Sequence, residues 1–142
     1  MIKFIFRVFY ITLVRFFVLT TLLTSLRYFD ASPFPQEASV ITLSYIFHAL
    51  ITFLFAKWVF AKRTSPTWTE AGIVTGLFVV VEIVFELSLW AVITGGSFIG
   101  ALQNFTWQSF VIILIYILAV YTAAWQTRTS RARRANPSGM EM

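Results

Sequence analysis

Apolar residues fill this chain in four long runs, approximately 4–26, 38–60, 69–93 and 105–127, each close to the ~20 residues that a helix needs to cross a bilayer. Helix-breaking residues fall between the runs. Pro33 and Pro35 lie in the first connection, Pro66 in the second and Pro137 in the tail, while Gly95, Gly96 and Gly100 mark the third connection. The pattern predicts an all-α membrane protein, a four-transmembrane-helix bundle occupying residues 1–127 as one domain. A basic, disordered cytoplasmic tail is expected over 128–142.

Composition agrees with that class. Hydrophobic residues make up 58% of the 142 positions and charged residues 12%, against roughly a quarter charged in soluble domains. The formal charge of +5 could suggest nucleic acid, but the distribution of the charges argues for topology instead. Lys3, Arg7, Lys57, Lys62, Arg63, Arg128, Arg131, Arg133 and Arg134 fall on the side shared by the N-terminus, the second connection and the C-terminus, and Arg27 alone on the other. That asymmetry places both termini in the cytoplasm, across a plasma membrane of the bacterial cytoplasmic type. Trp58, Trp68 and Trp125 near the inner ends, with Trp90 and Trp107 near the outer ends, fit an interfacial belt.

Arg128, Arg131, Arg133 and Arg134 then lie against the inner leaflet, where each basic residue gains about 1 kcal/mol from anionic lipid. No aromatic or Gly-rich module accompanies them, so lipid is the expected partner and nucleic acid is not. A signal-peptide reading of the first run fails on Arg15, which interrupts the apolar core, and on the lack of a small-residue cleavage site. Asn104-Phe-Thr106 matches a glycosylation sequon on the outer side.

The chain has no cysteine and a single histidine, which excludes disulfides, thiolate metal sites, a cysteine nucleophile and a bis-histidine haem within one chain. Phosphate loops, nucleophile elbows and His-Glu-x-x-His are also absent from the sequence. Nothing specifies a metal, any cofactor remains unknown, and an enzyme is the less favoured reading. What remains is the set of polar residues inside the apolar runs, the default functional-site candidates of a membrane protein.

Two of these stand out. Glu82 and Glu86 lie one helical turn apart in the third run and share about a third of its circumference with Gly72, Thr75, Gly76, Val79, Ile83 and Trp90. Gly72 and Gly76 form a Gly-x-x-x-Gly pair, which favours close helix approach. The rest, including Val74, Phe78, Val81, Phe85 and Leu87, reads as a lipid-compatible surface. If the second and third runs form an antiparallel hairpin about Ser65, His48 lies level with Glu82 and Ser44 with Glu86. Arg15 lies 12 residues before Arg27, and Glu82 lies 12 before Thr94, so the two sit at matching depth. Ser44, Tyr45, His48 and Thr52 form a polar stripe in the second run, and Tyr116 sits midway along the fourth.

The sequence therefore predicts a buried polar cluster of Arg15, Glu82, Glu86 and His48, with Tyr45 and Tyr116 within reach. An isolated charge at the bilayer centre costs about 2.5–3.5 kcal/mol on insertion scales, and pairing Arg15 with one glutamate removes most of that. The other glutamate is then the candidate to hold and release a proton. Two function classes stay open. One is a proton-linked transporter or channel subunit that forms a homo-oligomer through the Gly72/Gly76 face. The other is a non-catalytic subunit of a larger membrane complex, or an assembly factor, whose intramembrane charges dock partner helices. An intramembrane enzyme acting on a lipid through the two carboxylates has no support beyond those carboxylates.

Overall fold

The computed structural model describes residues 2–29, 36–63, 65–97, 99–100 and 107–135, and all its regular structure is helical. Four long helices follow one another: α1 (Ile2–Phe29), α2 (Gln36–Phe60), α3 (Trp68–Thr94) and α4 (Trp107–Ala135). At 1.5 Å rise per residue they are about 38–44 Å long, more than the ~30 Å hydrocarbon core. Three of them, α2, α3 and α4, are long and apolar enough to cross a membrane. They mark the chain as an integral membrane protein. α1 is of comparable length and is interrupted by Lys3, Arg7, Arg15 and Arg27. The sequon at Asn104 lies outside the described residues.

The helix ends follow local chemistry. Thr67 caps α3 through a capping box, its side chain accepting from the Glu70 amide at 3.1 Å while the Glu70 carboxylate accepts from the Thr67 amide at 3.0 Å. At the other end Gly95 takes a left-handed φ of 65°, the conformation that stops a helix at low cost when no Cβ is present. α4 runs beyond the apolar segment to Ala135, where a disordered tail was expected from 128 onward. No proline or glycine interrupts the sequence before Pro137, and two side chains tether the added turns. Arg131 donates to the Ala61 carbonyl at 2.7 Å, and the Arg128 guanidinium lies 5.0 Å from the Trp68 ring centroid. Residues 136–142 are not among those described.

Neighbours are arranged in the order α1, α2, α4, α3 and back to α1, with the α2·α4 contact the most extensive. The consecutive helices α2 and α3 sit across a diagonal and barely touch. This corrects the hairpin expected from their short connection, because α1 and α4 come between them. A single apolar core draws on all four helices, including Phe4, Val8 and Ile11 of α1, Val59 and Phe60 of α2, Val74 and Phe78 of α3, and Val120 and Ala123 of α4. All of these lie in the half nearest the basic end. There Arg7 donates to the Trp58 carbonyl at 2.8 Å, and Arg63 pairs with Glu70 at 2.9 Å while lying over the Phe4 ring. Two arginines from other helices, Arg7 and Arg131, thus donate to carbonyls around the α2 C-terminus, that of Trp58 also accepting from the Ala61 amide at 3.3 Å.

The buried face of α3 differs from the wheel reading. Ala71, Val74, Thr75, Phe78 and Val81 are buried, whereas Gly76 is exposed, and a methyl group added at Gly76 would meet nothing within 4 Å. Gly72 does approach a neighbour, since its Cβ would lie 3.6 Å from the Tyr121 hydroxyl. In a helix apolar on every side, small residues and hydropathy carry little information about which face packs, and polar partners decide it.

Two outcomes test this description. Thr67→Ala should lower stability in detergent by about 1 kcal/mol, with Thr67→Ser retaining most of it, as measured by SDS titration. Gly76→Ala should leave stability unchanged or raise it by about 0.5–1 kcal/mol, since space is open and Gly is a poor helix former. A large loss there would show that this face is filled.

Candidate functional site

Arg15 sits at the middle of α1 and is fully buried, 0% exposed. Its guanidinium reaches all three other helices. Nη2 donates to the Glu82 carboxylate of α3 at 2.6 Å and to the Phe78 carbonyl at 3.3 Å, and Nη1 donates to the Thr52 hydroxyl of α2 at 3.1 Å. The central carbon lies 4.6 Å from the Phe78 ring centroid and 4.5 Å from that of Tyr116 on α4. The cation therefore lies over two aromatic rings, with hydrogen-bond acceptors at its edge. Nε is buried and makes no hydrogen bond, so the site satisfies most, but not all, of the five donors.

Tyr116 links this pair to the histidine. Its hydroxyl and His48 Nδ1 share a hydrogen bond of 2.7 Å, the donor set by the tautomer, and the two rings lie 5.6 Å apart. The same side chain lies under the Arg15 guanidinium and shares the cleft between α3 and α4 with Glu82. His48 thus reaches Glu82 by way of Tyr116 rather than by facing it across a hairpin. The buried threonines elsewhere look after themselves: Thr12, Thr75 and Thr127 each return their hydroxyl to the carbonyl four residues back, at 2.7–2.9 Å.

Glu86 lies one turn beyond Glu82 and is exposed. With Glu82, His48, Thr20, Thr24, Phe16, Leu23 and Leu89 it lines a cavity of about 170 Å³. A narrow cleft of about 20 Å³ between α3 and α4 brings Glu82 and Glu86 together with Ser109 and Tyr116. Both lie on the side of the ion pair away from the basic end, where Leu89 is 47% exposed despite facing the cavity. A larger groove of about 500 Å³ runs between α2 and α4, lined by aliphatic residues such as Ile46, Leu50, Ile115 and Leu118. It contains no ionisable side chain, so the smaller polar cavity is the chemically informative one.

Of the expected cluster, the structure brings Arg15, Glu82, His48 and Tyr116 into one network and places Glu86 on the wall of the adjoining cavity. It does not join Tyr45, whose hydroxyl is buried without a hydrogen bond. Tyr45 stands nearly one turn before His48 on α2. Gly72 and Gly76 lie outside the site. Two participants went unrecognised. Thr52 was visible only as part of a polar stripe, and Phe78 was assigned to lipid. Phe78 precedes Glu82 by four residues and so occupies the same face one turn away, a signal that becomes readable once Glu82 is paired with an arginine.

Among the described residues no three His, Cys, Asp or Glu side chains converge as a metal site would require. No protein-family model matches the chain, and no curated protein or solved structure matches it either.

The ion pair has a direct energetic test. Arg15→Leu should cost about 3–5 kcal/mol by leaving Glu82 buried without its partner, and Arg15→Leu combined with Glu82→Leu should recover part of that loss. SDS titration of the reconstituted variants measures both. Strictly additive losses would contradict the coupling.

Proposed function

We propose that the chain is a four-helix-bundle membrane protein in which α1 also spans the bilayer, with both termini on the cytoplasmic side of a bacterial-type plasma membrane, and that it acts as a proton-linked transporter or channel subunit. The single observation that carries this reading is the cavity lined by Glu82, Glu86 and His48, which ends on the Arg15–Glu82 pair and is backed by a closed apolar core. Orientation follows from the arginines and lysines gathered at the opposite end of the helices. Arg128 and Arg131, with Arg133 and Arg134 beyond them, would then meet anionic headgroups of the inner leaflet.

The chemistry is a charge balance. With Glu82 ionised, the guanidinium has its counter-charge 2.6 Å away and the four helices are held together. A proton arriving at Glu82 from the cavity, by way of Glu86, leaves Arg15 with only Thr52, the Phe78 carbonyl and two rings as partners. The groups facing that proton are Arg15 from α1, His48 from α2, Glu86 from α3 and Tyr116 from α4. An uncompensated cation in a weakly screened interior favours rearrangement of the helices that enclose it. Such a two-state element can couple proton binding to the passage of an ion or small solute.

A second reading is favoured by a different observation. Gly76, Val80 and Val84 lie exposed on α3, a surface on which a further helix could pack closely. That suits either a second copy of the chain or the docking face of a subunit in a larger membrane complex. Gentle purification distinguishes the two, as a stoichiometric foreign partner would favour the complex subunit and a clean homo-oligomer would count against it.

For the transport reading, Glu82→Gln and Glu86→Gln should insert and fold but remove a pH-dependent flux from proteoliposomes. Flux equal to the wild type across the same pH range would sink it.

A further inference from the structure

The groove of about 500 Å³ between α2 and α4 is aliphatic along its lining and ends beside a lysine. We propose that it seats one acyl chain of an anionic phospholipid from the leaflet at the basic end, with Lys57 holding the phosphate. Ile46, Leu50 and Phe53 line the α2 side. Lys57 follows Phe53 by four residues, which puts it on the same stripe one turn closer to the basic end. On α4 the lining residue Thr122 is followed one turn later by Gln126. The two helices run in the same direction, since Arg131 near the end of α4 donates to the Ala61 carbonyl just past the end of α2. The groove therefore has an ammonium and an amide, both partly buried, at one end and hydrocarbon along the rest. This site is separate from the ion pair and does not depend on the transport reading.

Depth and length fit a lipid. Trp58 and Trp125, the chain neighbours of Lys57 and Gln126, are 48% and 56% exposed, as aromatic residues at a headgroup boundary are. Ile46 precedes Lys57 by 11 residues, about 16 Å at 1.5 Å per residue. One leaflet of a ~30 Å hydrocarbon core is about 15 Å deep, so the groove reaches as far into the membrane as a lipid chain does. Charge decides against a second copy of the chain as the occupant. A copy related by a two-fold axis along the membrane normal would bring its own Lys57 to the same level of the shared face, and like charges in a weakly screened setting repel. Glu70, the carboxylate at that end among the described residues, is already held by Arg63 at 2.9 Å and by the Thr67 amide. A phosphodiester supplies the negative charge and acceptor oxygens for both Lys57 and Gln126. A zwitterionic headgroup carries its own cation beside the phosphate, so the anionic lipid is favoured.

The test is native mass spectrometry of the full-length protein in a neutral detergent, titrated with phosphatidylglycerol and, separately, with phosphatidylcholine of the same acyl chains. One tightly held phosphatidylglycerol per chain is expected, bound at least fivefold more tightly than phosphatidylcholine. Lys57→Gln should bring phosphatidylglycerol down to the level of phosphatidylcholine. Ala119→Phe, which fills the groove and leaves every charge in place, should weaken the first adduct of both lipids at least fivefold. Circular dichroism verifies that the variants keep wild-type helicity, and either one that does suffices. Unchanged phosphatidylglycerol affinity in a folded variant would assign the lipid to the arginine tail and overturn the proposal. Equal binding of the two lipids by the wild type would also overturn it, as would a lipid-free dimer that Ala119→Phe dissociates, since the groove would then be an interface between copies.

Discussion

The arginine at the centre of α1 constrains everything around it. A guanidinium is charged at any physiological pH, so Arg15 can be buried in an apolar protein only if its surroundings supply counter-charge and hydrogen-bond acceptors. They come from three other helices: a carboxylate and a carbonyl from α3, a hydroxyl from α2 and an aromatic face from α4. That requirement fixes helix rotation in a protein where hydropathy does not. It turns Phe78 inward and Gly76 outward on α3, and it selects Thr52 from the polar stripe of α2. Removing one partner costs far more than the pair contributes when intact, because the remaining charge stays buried.

The same constraint divides the molecule into unequal halves. Towards the basic end the helices close on an apolar core, and arginine side chains from α1 and α4 tie down the end of α2. On the other side of the ion pair, the space between the helices is wider and polar, lined by both glutamates, the histidine and two threonines. An ion pair on the floor of a cavity differs from one sealed in a core. Glu82 lines the cavity, and any change in its charge would be felt by a residue that all four helices help to hold.

Much of this was legible in the sequence, and what was not has a physical explanation. The helix boundaries follow from the length of the apolar runs and the Pro and Gly residues between them, so expected ends fall within a few residues of the observed ones, except in the basic tail. Depth was also readable, because residues equally far along parallel helices lie level, and that brought Arg15 to Glu82. Rotation and neighbour order were not. A helix apolar all round has no preferred face by composition, and the Gly-x-x-x-Gly pair does not mark the face that packs within one chain, where Gly76 is exposed. The diagonal placement of α2 and α3 depends on how α1 and α4 pack between them, which a short connection does not determine. Tyr116, in the middle of α4 with nothing but its hydroxyl to single it out, turned out to be the link between His48 and the ion pair.

The central proposal is that Glu82 takes up and releases a proton, and so loses and regains its ion pair with Arg15, and infrared difference spectroscopy of the reconstituted protein tests this most directly. Acidification should produce a carboxylic-acid C=O band that is absent from Glu82→Gln and shifted in Arg15→Leu. A difference spectrum with no such band, or one unchanged by Glu82→Gln, would show that the pair is a fixed structural element and contradict the account.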